Sequence, residues 1–280
     1  MVSGGHRAPR LTTGRPVSLS CGMILLDPLA RPVIGHRGNR AFSPEETLAS
    51  LLEAVALGVD ALEFDVHVTR DEQLVLIHDS TLDRTTNQTG PVALRTRAEL
   101  ERIDAGFRFT TDGGTTFPWR GRGATIVALD DAIDALPKQL PLIIELKTGA
   151  ATEPMRRAIR RHALAPRVIV AGFSNGFTHP LYGEGFAIGA STADVIRALP
   201  SALLGYRHTA RCDAFCIPPS HNGIPVPIAR IVRSLHGSPT TVHVWTVNSA
   251  AQALDLWRAG VNGIISDDPG LILRTRPPNR

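Results

Sequence analysis

Short apolar runs alternate along this chain with longer stretches whose apolar residues recur at helical spacing. Val33 and Ile34 read as a first strand. Residues 47–57 carry a helical pattern, with Pro44 suited to a first helical position and Gly58 as its stop. Residues 61–68 predict a second strand and 74–77 a third. The stretch 81–123 is polar and Gly-rich, with one helical patch near 98–103. A segment this long with so little regular pattern predicts an inserted subdomain or lid. The alternation then resumes. Strands are predicted at 142–146, 168–171, 186–190, 214–217, 242–247 and 263–265. Helical patterns stand at 129–136, 153–163, 193–203, 227–235 and 250–259.

Strands alternating with helices imply an α/β protein with a parallel sheet. Roughly eight such units in a chain of this length predict a closed (β/α)8 TIM barrel, with a small insertion after the third strand. A doubly wound open sheet is the competing architecture, but no GxGxxG follows the first strand. The barrel is expected to span 32–280. Residues 1–31, rich in Gly, Arg and Pro, read as a flexible leader.

Composition narrows the function classes. Of 280 residues, 43% are hydrophobic and 20% charged, the profile of a globular protein. The net charge of +4 comes without a block of like charge, which argues against nucleic-acid binding. The longest apolar run of the leader, 22–26, is too short to span a bilayer, so no stable membrane insertion is expected. Three cysteines without a CxxC pattern form neither a disulfide framework nor a zinc site, and favour a reducing, cytoplasmic setting.

In a barrel of this kind the chemistry sits at the C-terminal ends of the strands. His36 follows the first strand, Glu63 and Asp65 lie late in the second, and His78 follows the third. Glu145 and Lys147 follow Ile144, and Trp245 lies late in the 242–247 run. Glu63 and Asp65 are two apart on a strand and so share a face. Side-by-side carboxylates repel unless a cation or protons sit between them. With Glu145 as a third, the set suits a hard divalent ion such as Mg²⁺ or Ca²⁺. His36 and His78 are the candidate acid–base pair, since histidine serves both roles near neutrality. Arg37 offers a planar fork and Lys147 a point charge for a phosphate group.

These residues fall in motifs that resemble the glycerophosphodiester phosphodiesterase family. The likeness is carried by His36-Arg37-Gly38, by Pro44-Glu45-x-Thr47, and by Glu63-x-Asp65 with Thr69-x-Asp71 and His78-Asp79. Glu145-x-Lys147, the run from Val244 to Asn248, and Gly263 to Asp267 extend it. The resemblance implies a metal-dependent enzyme that hydrolyses glycerophosphodiesters to glycerol 3-phosphate and an alcohol. His36 and His78 would be its general acid and base, and Glu63, Asp65 and Glu145 would bind one divalent ion. Arg37 and Lys147 would hold the phosphate, Glu45 would orient Arg37 or approach the metal, and Trp245 would line the pocket near the alcohol.

Two positions depart from the family pattern. Glu46 stands where Asn is usual, adding charge beside the site. Cys216 stands where Gln is frequent. The same chemistry would serve a lysophospholipase D-like activity on lysophospholipid substrates, which the aromatic residues Phe107, Phe109, Phe117 and Trp119 keep open. A catalytically silent phosphate-ligand-binding barrel is the alternative from another class.

Overall fold

The computed structural model describes residues 22–278. Among them, eight parallel strands form one ring: β1 (Val33–His36), β2 (Ala61–Val68), β3 (Leu142–Leu146), β4 (Val168–Ala171), β5 (Ala187–Ile188), β6 (Ala214–Ile217), β7 (Thr241–Val244) and β8 (Gly263–Ser266). They lie in the order β5-β4-β3-β2-β1-β8-β7-β6. The ring closes between β5 and β6 through a single bridge, Gly189 to Ala214, where the Ala190 N–H donates to the Ala214 carbonyl at 2.7 Å. The expected α/β barrel is therefore the architecture.

Helices pack outside the ring. α1 (Leu48–Leu57) starts where the Thr47 hydroxyl accepts from the Ser50 N–H and stops at Gly58, which takes a left-handed φ of 85°. Buried Leu, Ile and Val from the outward faces of the strands meet the helices. The inward faces fill the barrel with Ile34, Ala61, Ile143, Ile169, Ala187, Ala214 and Ile265. This strand alternation is what carries polar residues of the same parity to the barrel mouth.

Two expectations shift. The strand predicted at 74–77 is Leu74–Leu76, and it pairs antiparallel with the far end of β2 instead of joining the ring. The insertion therefore follows a hairpin arm, and the third ring strand is β3. An apolar run of three residues is equally suited to a hairpin and a barrel strand, and only pairing decides. The insertion has its own core, Leu82, Val92, Leu100, Ile103 and Ile126 packed on Val75 and Ile77 of the arm.

The predicted leader also needs division. Residues 1–21 lie outside the described residues. From Met23 onward the chain closes the bottom of the barrel: Met23 and Leu25 are buried among the inward apolar residues. The Leu25 carbonyl accepts from the Thr241 hydroxyl and from His243 Nε2, each at 2.9 Å. Among the described residues, no helix is long and apolar enough to cross a membrane.

Candidate active site

Strand register brings the polar residues together. His36 on β1 stands beside Glu63 on β2, and Asp65 on β2 beside Glu145 on β3. Each pair had been separated by tens of residues in the chain. His36, Arg37, Glu63, Asp65, His78, Glu145, Lys147 and Trp245 all line one cavity at the C-terminal mouth, together with Phe173 and Cys216.

The turn after β1 is tight. Arg37 takes a positive φ of 54°, and Gly38 follows at 89°. A Cβ at Gly38 would fall 2.4 Å from the Ser50 backbone of α1. Glycine is thus required for the turn that aims Arg37 inward.

Three carboxylates form a compact acidic group. Glu63, Asp65 and Glu145 each offer an oxygen within 4.8 Å of the others. Burial and the neighbouring Asp65 push the carboxyls of Glu63 and Glu145 upward, Glu145 to about 7. Burial opposes ionisation of Asp65 as well, but Lys147 and Arg37 overcome it and hold its carboxyl below the usual range. Lys147 Nζ lies 2.9 Å from Asp65 Oδ1 and 2.5 Å from Glu145 Oε1. Arg37 Nε lies 3.0 Å from Asp65 Oδ2. Glu63 Oε2 is buried with no hydrogen-bond partner. An oxygen-only set with an orphaned buried carboxylate oxygen fits a hard divalent cation.

Each candidate histidine is held from behind by an aspartate. His36 Nδ1 lies 2.6 Å from Asp267 Oδ1, and His78 Nδ1 lies 2.6 Å from Asp79 Oδ1. That leaves Nε2 of each ring for the cavity, and His36 Nε2 sits 3.8 Å from Glu63 Oε2. Burial, reinforced by the Arg37 charge, lowers both imidazoles from their ordinary value. His67 takes no part in the cavity; its Nε2 meets the His78 carbonyl at 3.2 Å.

Glu45 is the residue that does not reach the cavity. Its carboxylate is taken up by three guanidinium groups, from Arg37 at 2.8 Å, Arg40 at 2.9 Å and Arg84 at 2.6 Å. One of those contacts fixes the Arg37 guanidinium at Nη1. The carboxylate that does approach the acidic group is Glu46, whose Oε1 accepts from the Asp65 N–H at 3.0 Å. Burial and the charge of Asp65 push it well upward.

Sequence reasoning missed Asp267 and Asp79 as partners of the histidines, and Phe173 on the wall. Asp267 directly follows β8, so the same strand-end rule that found Glu145 would have flagged it. Phe173 packs edge-on against Trp245 with ring centroids 6.1 Å apart. Of the four aromatic residues of the insertion, Phe109 lines a second cavity with Arg40, Glu45 and Arg84, and the other three are used elsewhere. Phe107 and Phe117 sandwich the Arg120 guanidinium, each at 4.1 Å, and Trp119 covers Gly106.

The model of the glycerophosphoryl diester phosphodiesterase family matches residues 36–271. A glycerophosphodiester phosphodiesterase of Caldanaerobacter subterraneus subsp. tengcongensis is 30% identical over 257 residues, covering 86% of this chain and 96% of that protein. Among solved structures, the glycerophosphoryl diester phosphodiesterase domain of a Mycobacterium tuberculosis protein superimposes with a TM-score of 0.76 at 21% identity. It covers 88% of this chain and 98% of that one. A phosphodiesterase of Oleispira antarctica, solved with its product sn-glycerol-3-phosphate, is similar with a TM-score of 0.70 at 25% identity. The match spans 88% of this chain and 96% of that structure.

Proposed function

The chain belongs to the glycerophosphoryl diester phosphodiesterase family, and from that premise we propose that it hydrolyses glycerophosphodiesters to glycerol 3-phosphate and an alcohol. One observation carries the reading. Two histidine–aspartate pairs open onto a single cavity that also holds Glu63, Asp65, Glu145, Arg37 and Lys147.

Glu63, Asp65 and Glu145 would hold one divalent ion, Mg²⁺ or Ca²⁺. When bound, such an ion supplies Lewis-acid stabilisation of charge developing on phosphate oxygens. Arg37 and Lys147 bind the same phosphate, the first through its fork and the second as a point charge. Trp245 and Phe173 provide an apolar wall for the carbon skeleton of the alcohol. Asp267 and Asp79 accept from the Nδ1–H of the two histidines, so each Nε2 presents a lone pair while its ring is neutral. One Nε2 takes the proton from the attacking nucleophile, and the other, protonated, returns one to the leaving alkoxide; the nucleophile is water, or the neighbouring glycerol hydroxyl, in which case water then opens the cyclic phosphate. Each transfer is worth on the order of 10²–10⁴ in rate.

Phe107, Phe117 and Trp119 are engaged within the insertion, whereas Phe109 lines a second cavity beside Arg84 and Glu45, so the lysophosphatidylcholine arm of the assay decides between the glycerophosphodiester reading and lysophospholipase D-like action. The test is a hydrolysis assay on glycerophosphocholine, glycerophosphoethanolamine and lysophosphatidylcholine, run after chelation and with each ion restored in turn. Release of glycerol 3-phosphate that vanishes on chelation and returns with Mg²⁺ or Ca²⁺ is expected. Full activity in metal-free protein would remove the role given to the three carboxylates.

A further inference from the structure

Five side chains outside the cavity link the two histidines into one chain of alternating charge. Behind His78, Asp79 Oδ2 accepts from Arg84 Nε at 2.5 Å. The other end of that guanidinium reaches Glu45, with Nη2 to Oε1 at 2.6 Å and Nη1 to Oε2 at 2.9 Å. Glu45 Oε2 accepts from Arg40 Nε at 2.9 Å, and Arg40 Nη1 stands 3.4 Å from Asp267 Oδ1. Asp267 in turn holds His36, and its second oxygen accepts from Asn248 Nδ2 at 2.9 Å. The path therefore runs His78, Asp79, Arg84, Glu45, Arg40, Asp267, His36.

The chemistry of this path is unusual in one respect. Exposed ion pairs taken singly are worth little. Glu45, however, is only 10% exposed at its side chain and is shared by three arginines. Burial opposes its ionisation, yet the bond from Arg84 and the charges of Arg37 and Arg40 hold its carboxyl well below the usual range. A buried anion gripped from several sides has few alternative positions, so the guanidinium groups around it are fixed as well. Arg84 uses its planar fork to span two carboxylates, which a lysine in its place cannot do.

We infer that Arg84 and Arg40, joined through Glu45, are positioning residues that hold the two histidine–aspartate pairs in register with each other. The insertion acquires a role from this. It contributes Arg84, and it is docked onto the barrel mouth by the same bonds that orient His78. Residues that orient a functional group from behind typically change its performance by 10–100-fold when removed, without touching the substrate.

The inference rests on the histidine pair proposed above, so its test includes a measurement that needs no turnover. Arg40→Gln, Arg84→Gln and the double variant are assayed for hydrolysis of glycerophosphocholine with the restoring ion present. Each single variant is expected to lower kcat about 10–100-fold while KM changes by less than about threefold. The double variant is expected to lose far less than the product of the two losses, because both changes break one network. In parallel, imidazole ¹⁵N spectra of the protein without substrate are expected to show His78 losing its fixed Nδ1–H tautomer in Arg84→Gln and His36 losing its own in Arg40→Gln. A wild-type kcat in either variant, a loss confined to KM, or multiplicative losses in the double variant would overturn the inference. So would unchanged imidazole spectra. Absence of any hydrolysis by the unmodified protein would instead sink the proposed activity and leave the spectra to decide. Should Arg84→Gln not fold, Arg40→Gln tests the same path from the His36 end.

Discussion

Replacing Lys147 with Met removes the ammonium that sits between Asp65 and Glu145 while keeping a side chain of similar length. The two contacts measure 2.9 and 2.5 Å, and the lysine side chain is 12% exposed. In a medium of effective dielectric near 20, a unit pair at such distances attracts by about 6 kcal/mol before the cost of desolvation. Removing one member of a buried pair typically costs about 3–5 kcal/mol, because the charge left behind has no partner. Here the remaining carboxylates have one escape. Glu145, already pushed up to about 7 with the ammonium beside it, rises further once Lys147 is gone and takes a proton as the pH falls. The cost is therefore expected to be larger at pH 8 than at pH 6, and to grow as the pH is raised further. For a chain of this size about 3 kcal/mol corresponds to roughly 6–12 °C in the unfolding midpoint. A divalent ion should substitute for the missing charge. At 100 times its dissociation constant it returns about 2.7 kcal/mol. In the parent protein the same ion must first displace the Lys147 ammonium, so its stabilising increment should be smaller there than in the variant. The assay is thermal unfolding of chelated and ion-saturated samples of both proteins at pH 6 and 8. Hydrolysis by the variant should stay low even with the ion, since the phosphate loses a cationic contact. A chelated variant melting within about 2 °C of the parent at pH 8, with equal increments from the ion, would refute the reasoning.

Further outcomes are expected elsewhere in the molecule. His36→Ala and His78→Ala should each fold yet lose on the order of 10²-fold or more in kcat, read by glycerol 3-phosphate release; one fully active variant would dissolve the pair. His243 is buried with its pKa lowered by desolvation to about 4 from 6.5, so the folded state holds fewer protons than the unfolded one between those values. Its contribution is intact above about pH 6.5 and is lost as the pH falls toward 4, amounting to about 2 kcal/mol at pH 5. Urea unfolding at pH 7 and 5 should show a loss that includes this difference, and His243→Gln should shrink the loss by about that amount while the share from the other buried histidines remains. Gly38→Ala forces a Cβ against the Ser50 backbone at a positive φ. It should destabilise the protein by about 2–5 kcal/mol in urea titrations, and a neutral result would contradict the tight turn.

Much of the fold and site was legible beforehand, for a local reason. The strands 61–68, 142–146, 168–171 and 214–217 are legible at their observed bounds: 168–171 and 214–217 are continuous apolar runs, and 61–68 and 142–146 keep apolar residues on the face that meets the helices. The shared face of Glu63 and Asp65 followed from the two-residue repeat of a strand. The rule that chemistry gathers at strand ends then collected His36, Glu145, Lys147 and Trp245 before any contact was known.

Other features depended on which segments meet, and no local pattern encodes that. Leu74–Leu76 carries the same apolar signature whether it joins the ring or folds back on β2. Glu45 and Glu46 are neighbours of one chemistry, yet the turn after Arg37 sends one to a cage of arginines and the other to the Asp65 N–H. Asp267 reaches His36 across a sequence separation of 231 residues. Met23 to Leu26 is a short apolar run after a Gly- and Arg-rich stretch, and only the open bottom of a barrel offers Leu25 a place out of water. Periodicity is a property of a few adjacent residues and survives in the bare sequence. Pairing, closure and side-chain partnership are set by the balance of burial and hydrogen bonding between distant segments, so they exist only once the chain has folded.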